Sequence, residues 1–170
     1  MLSAIGSVLF YGPFRIGFGF LLGALVVRLW SRALGKEIGA RLDDAALELL
    51  LRFMDLWCRL NVKYRSRHLK GFSGVYLFKT RDGLVAASFT FENDDMTVSG
   101  EAVEDWDVAV VFKNARALRS SLKDILFKGR MDILDLMLKN EVEIQGNINL
   151  IFKFLYMVND LRNALPFPTG

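Results

Sequence analysis

From Asp43 to about Val62 the polar positions form one narrow stripe and nearly everything else is apolar. Glu48, Arg52, Asp55 and Arg59 recur at spacings of four, three and four, which predicts a helix with Asp43 or Asp44 at its cap. Glu48–Arg52 and Asp55–Arg59 are acid-first i,i+4 pairs, the more favourable order. The remaining faces carry Leu47, Leu50, Leu51, Phe53, Met54 and Trp57 among others, more apolar surface than one core-facing stripe requires. Strand signals follow. Phe72–Thr80, Leu84–Phe91 and Met96–Gly100 are rich in aromatic and β-branched residues. Arg81-Asp82-Gly83 and Glu92-Asn93-Asp94-Asp95 punctuate them as turns. After an acidic loop, Asp107–Lys113 alternates with Val108, Val110 and Phe112 on one face. Two or three short helices between Asn114 and Lys139 lead to a short strand, Glu141–Gln145. Gly146-Asn147 then opens a last helix to about Ala164, capped by Asn147 and stopped by Pro166 and Pro168. This helix is also over-apolar. The order predicts an α+β fold, a mainly antiparallel sheet of about five strands with helices on one face, preceded by an apolar N-terminal helical segment.

That N-terminal segment is different material. Residues Leu2 to Val27 hold a single charge, Arg15, and 14 of the 26 positions are Leu, Ile, Val or Phe. As a helix the run would extend roughly 39 Å, longer than the hydrocarbon core of a bilayer. Apolar transfer favours insertion by roughly 4 to 8 kcal/mol, against which Arg15 sets about 2.5 to 3.5 kcal/mol, and five Gly and Pro13 weaken it further. An interfacial helix or hairpin suits Gly12-Pro13 as a breaker and Arg15 as a snorkelling charge. A tilted span would use Gly19 and Gly23 as a close-packing pair. A segment folded onto its own domain and a cleaved secretory signal complete the alternatives, the signal weakest because no Lys or Arg precedes the apolar run. Membrane attachment is the favoured expectation. Arg28, Arg32 and Lys36 follow, so a spanning form would leave the bulk of the chain on the cytoplasmic side.

Composition narrows the chemistry. One Cys (Cys58) excludes an internal disulfide, and one His (His68) leaves no His/Cys set for structural zinc. Ser66 and His68 lie in a basic linker without pocket glycines, and His68 reads as a mobile surface residue. Glu92, Asp94 and Asp95 match no calcium-loop spacing and read as a hairpin turn. There is no phosphate-binding glycine motif. The net charge of +3 is small, yet the charges are segregated: all seven between Leu56 and Arg81 are positive, and all between Asp82 and Asp107 are negative. A basic run of this kind is either a solvated linker or a site of attraction to anionic headgroups. Nucleic acid is disfavoured, because no aromatic platforms interleave with the cations.

From Gly71 to about Leu161 the order of features resembles the sterol carrier protein-2 (SCP2) domain family. Residues 74–79 (GVYLFK) with the Arg81-Asp82-Gly83 turn look like its first strand. Residues 107–112 (DVAVVF) are similar to its acidic-start strand. Residues 141–147 (EVEIQGN) ahead of an apolar helix look like its closing strand–glycine–helix signature. The family commonly has Gly just before that strand, where this chain has Lys139-Asn140; Asn tolerates the left-handed conformation. The resemblance implies a five-stranded sheet and helices enclosing an apolar tunnel for acyl chains, sterols or other lipids. Carried over, the tunnel wall would be Val108, Val110 and Phe112 on the sheet, Ile133, Leu134, Met137 and Leu138, and Leu150, Phe154, Leu155 and Val158 on the last helix. Taken one at a time, each of these positions also reads as ordinary core.

The expected organisation is a membrane-associated leader (1–36), an amphipathic helix with a basic linker (37–70) and an SCP2-like lipid-binding domain (71–165). The expected function is non-enzymatic: binding or carrying a hydrophobic molecule at a membrane surface, without cofactor or metal. Some bacterial members resembling the family are accessory proteins of ubiquinone synthesis holding prenylated intermediates, and that is the leading specific variant. The alternative is a membrane-associated interaction module that forms a homodimer through its apolar helices and has no ligand.

Overall fold

A computed structural model of the protein describes residues 40–125 and 131–164, with side chains from residue 45. The leader therefore lies outside the described residues. Helix α1 (Ala40–Leu60) starts before the expected caps, so Asp43 and Asp44 fall inside it. Asn61 ends that helix and caps the next, its side chain accepting from the Tyr64 N–H at 3.0 Å to start α2 (Val62–His68). The basic stretch read as a linker is thus largely helical.

Five strands follow: β1 (Gly74–Thr80), β2 (Ala86–Glu92), β3 (Asp95–Ser99), β4 (Val108–Phe112) and, beyond two helices, β5 (Val142–Gly146). Among the described residues between β4 and β5 are the helices α3 (Ala115–Lys123) and α4 (Ile133–Leu138), capped by the side chains of Asn114 and Asp132. Helix α5 (Ile148–Asn163) closes the domain, with Asn147 at its cap as expected.

The sheet order is β3-β2-β1-β4-β5. Three pairings are antiparallel and one, β1 with β4, is parallel, so the sheet is mixed. Asn93 and Asp94 both take positive φ (53° and 60°), which matches the twist of a two-residue hairpin between β2 and β3. After β3 the chain must pass two strands to reach β4. Ser88 holds that passage by donating to the Glu101 carbonyl at 2.7 Å, and Trp106 packs on Leu77, Ala109 and Val111 of the outer face. Asp107 then binds β1 in both directions: its N–H donates to the Val75 carbonyl and its carboxylate accepts from the Val75 N–H. That gives the acidic start of β4 a structural purpose.

The opposite face is the core side. Tyr76 and Phe78 of β1, Phe89 and Phe91 of β2, and Val108, Val110 and Phe112 of β4 all point beneath the helices and are buried. Helix α1 packs on β3 and β2, and α5 on β4. Side chains from α1 and from β1 to α5 join one continuous apolar cluster. Gly146 takes φ +87°, and a Cβ there would collide with the Asp107 carbonyl, which also accepts from the Asn147 N–H at 3.0 Å. Only glycine fits this close approach.

Candidate functional site

An apolar cavity of about 20 Å³ lies at the centre of the helix–sheet interface. Its sheet wall is Phe78, Val110 and Phe112. Leu47, Leu50 and Leu51 of α1 form the roof on one side. Ile151, Phe154, Leu155 and Val158 of α5 form it on the other. Leu122, Ile125, Met131 and Ile133 close one end, together with Ser121. Ser121 is the lining's polar side chain, and its hydroxyl already donates to the Ala117 carbonyl at 2.9 Å. The wall therefore offers neither a charge nor a free hydrogen-bonding side chain. The cavity has room for about one water molecule, and an apolar void of this kind stays dry.

Beside the cavity, the Phe154 ring lies 5.0 Å from Phe89, 5.4 Å from Phe78 and 5.8 Å from Tyr76, centroid to centroid. These separations suit tilted and edge-on aromatic packing. Tyr76 keeps its hydroxyl satisfied by donating to the Leu150 carbonyl at 2.9 Å, and burial holds its pKa above the usual tyrosine value. The phenol stays neutral at physiological pH.

The tunnel positions read from the sequence divide three ways. Val110, Phe112, Ile133, Phe154, Leu155 and Val158 line the cavity. Val108 is buried in the same cluster, away from the cavity, and Leu150 is half-buried against Gly74. Met137 is half-buried. Leu134 and Leu138 are corrected outright, being 55% and 84% exposed. Helix α4 has six residues, and its inward positions are Ile133 and Leu136; residues 134 and 138, four apart, share the solvent face. Sequence reasoning left out Leu47, Leu50 and Leu51. The excess of apolar surface on that helix was their signal.

A second correction concerns His68. It is buried, not a mobile surface residue, and its Nε2–H donates to Asp160 Oδ2 at 2.7 Å. The Tyr64 and Tyr156 rings flank it at 4.4 and 5.3 Å. Nearby, Ser66 turns its hydroxyl to the Lys63 carbonyl, so the only imidazole and the adjacent serine do not face each other as base and nucleophile. Cys58 is buried, and desolvation, helped by Asp55, pushes its pKa up to about 12, so it remains a thiol. Asp94 accepts from the Gly71 N–H and Asp95 lies 3.7 Å from Arg59. Among the described residues, no group of three or more His, Cys, Asp or Glu side chains is placed to hold a metal. No helix among them is long and apolar enough to cross a membrane.

No family model matches the chain, and no curated protein matches it. Solved structures do. A protein described as "UbiJ-SCP2 Ubiquinone synthesis protein" is 24% identical, with a TM-score of 0.46, over 70% of this chain and 94% of its own. Sterol carrier protein 2 from Yarrowia lipolytica is 13% identical, with a TM-score of 0.48, over 71% of this chain and 92% of its own. The sterol carrier protein domain 2 of Helicoverpa armigera is 17% identical, with a TM-score of 0.44, over 67% and 86%. The chain itself is α+β, a five-stranded mixed sheet covered on one face by helices.

Proposed function

We propose that this domain is a non-enzymatic carrier that holds a hydrophobic small molecule between its helix layer and its sheet and presents it at a membrane surface. The observation that carries the reading is the uncharged cavity where α1, α5 and the sheet meet. Binding there would draw on apolar burial and shape, with few polar anchors. Sites that enclose a small ligand usually measure about 300–1,000 Å³. The cavity is far below that, so admitting a chain requires α1 or α5 to move away from the sheet. Phe154, in contact with both the cavity and the aromatic cluster, is the side chain whose rotation would enlarge the space. In its finer form the ligand is a prenylated quinone intermediate, the variant drawn from the sequence resemblance, and the leader supplies the membrane attachment. Solvent extraction of the gently purified protein followed by mass spectrometry tests the reading. A stoichiometric acyl or prenyl molecule supports it, and protein that extracts empty after exposure to such molecules contradicts it.

A second reading, an interaction module without ligand, is favoured by one feature. Leu49, Leu56 and Leu60 of α1 are 37–44% exposed at spacings of seven and four, an outward apolar seam. Mass measurement by light scattering, with and without Leu56→Glu, tests it. A dimer that the substitution dissociates, in protein that extracts empty, would favour this reading over the carrier.

A further inference from the structure

Four of the seven cations between Leu56 and Arg81 lie on or just beyond one short helix. Lys63, Arg65 and Arg67 of α2, with Lys70 just beyond it, are all exposed. Lys63, Arg65 and Lys70 make no ion pair with any described residue. Helix α5 lies alongside, tied by Arg67 to Asp160 at 3.3 Å and by the His68 and Tyr156 rings at 5.3 Å. On it Phe152 and Tyr156, one turn apart, are 46% and 56% exposed, and Val62 at the head of α2 is 61% exposed. The acids bordering this face are engaged: Asp160 by His68 and Arg67, Asp94 by the Gly71 N–H.

Cations alone describe a solvated surface. Cations beside exposed aromatic and aliphatic side chains fit a bilayer interface, where ring bodies sit at headgroup level and ammonium and guanidinium groups meet phosphate. We infer that the exposed face of α2, with the Phe152–Tyr156 edge of α5, docks on an anionic phospholipid bilayer. On a nucleic-acid duplex laid along the same face, the exposed Val62, Phe152 and Tyr156 would gain nothing from the phosphates. The inference deepens the membrane part of the proposed function and rests on that part alone, since it holds whether or not a ligand enters the core.

The test is co-sedimentation of the full chain with phosphatidylcholine vesicles, with and without phosphatidylglycerol. Apolar insertion of the leader is common to both vesicle types, and its Arg28, Arg32 and Lys36 add an anionic preference of their own, so the part of the preference lost on substituting α2 reports this face. The parent protein is expected to prefer the anionic vesicles, less so as salt rises. The triple variant K63Q/R65Q/K70Q should lose on the order of 100-fold of the anionic-dependent affinity. Its circular dichroism melt should match the parent's, because the three side chains make no ion pair with any described residue. The double variant F152S/Y156S keeps every cation and should bind anionic vesicles less well at raised salt. Equal binding to both vesicle types, or a triple variant that keeps the whole preference, overturns the inference. So does tight binding to a DNA duplex without preference for phosphatidylglycerol. Mass spectrometry of extracted protein reports the core ligand separately, so failure of docking and failure of the carrier reading are distinguishable.

Discussion

His68 and Asp160, 92 residues apart, join the short helix α2 to the closing helix α5 through a hydrogen bond of 2.7 Å on an imidazole with no exposed side-chain surface. Two further links repeat the connection: Tyr64 donates to the Met157 carbonyl at 2.7 Å, and Arg67 reaches Asp160 at 3.3 Å. The basic segment is therefore built into the domain and not strung between its parts. The carboxyl of Asp160 is held below the usual aspartate range, chiefly by the hydrogen bond from His68, with Arg67 contributing.

Because the folded-state pKa of Asp160 is depressed, its contribution to stability is complete above the ordinary aspartate value and is lost as pH falls through the folded value. Asp160→Asn should cost about 1–3 kcal/mol at neutral pH, as expected when a buried imidazole loses a charged partner. Urea melts at neutral pH and below about pH 4 check this. The parent should lose part of its advantage over the variant in acid. An unchanged gap between the two would contradict the assignment.

Gly146 and Asn140 both take positive φ, at +87° and +54°, but they predict opposite outcomes. Gly146→Ala adds a Cβ against the Asp107 carbonyl in a strained conformation and should destabilise by more than about 2 kcal/mol. Asn140→Gly relieves a left-handed side-chain residue and should be neutral or slightly stabilising. Chemical denaturation of both variants decides.

Phe154→Trp separates a movable wall from a fixed core. If Phe154 yields space to a ligand, the larger ring should cost less than about 1 kcal/mol and reduce uptake of an acyl-chain probe. A loss of about 1–3 kcal/mol with uptake unchanged would make the position ordinary core. Thermal melting with and without the probe supplies both readouts.

Deleting residues 1–30 should leave the domain folded, since residues 47 to 161 form one continuous apolar cluster among the described residues. In fractionated cells the shortened chain should move from the membrane to the soluble fraction, apart from what α2 retains on anionic lipid. Full-length protein that is freely soluble without detergent would contradict membrane attachment through the leader.

Much of this fold is legible locally. The alternation of Val108, Val110 and Phe112 predicts the helix-covered face of β4, and all three are buried there. Asn140 was expected to hold a left-handed turn, and it does. What escapes the sequence is long-range. The parallel placement of β4 beside β1 depends on a chain passage anchored by Ser88 and Trp106, which no period of two reveals. His68 looks like a surface residue because its partner lies on the last helix. Leu134 and Leu138 look like wall because a six-residue helix is too short for periodicity to fix its rotation. Leu47, Leu50 and Leu51 lie outside the region of resemblance, although their excess apolar surface was already visible.

The central claim, that a hydrophobic ligand sits between α1, α5 and the sheet, is tested most directly by methyl NMR of the protein titrated with a spin-labelled acyl chain. Broadening should fall first on Leu51, Val110, Ile133 and Val158, which line the cavity, and should spare Leu84. Broadening confined to the exposed methyls of Leu49, Leu134 and Leu138, with the cavity-lining methyls unchanged at saturation, would contradict it.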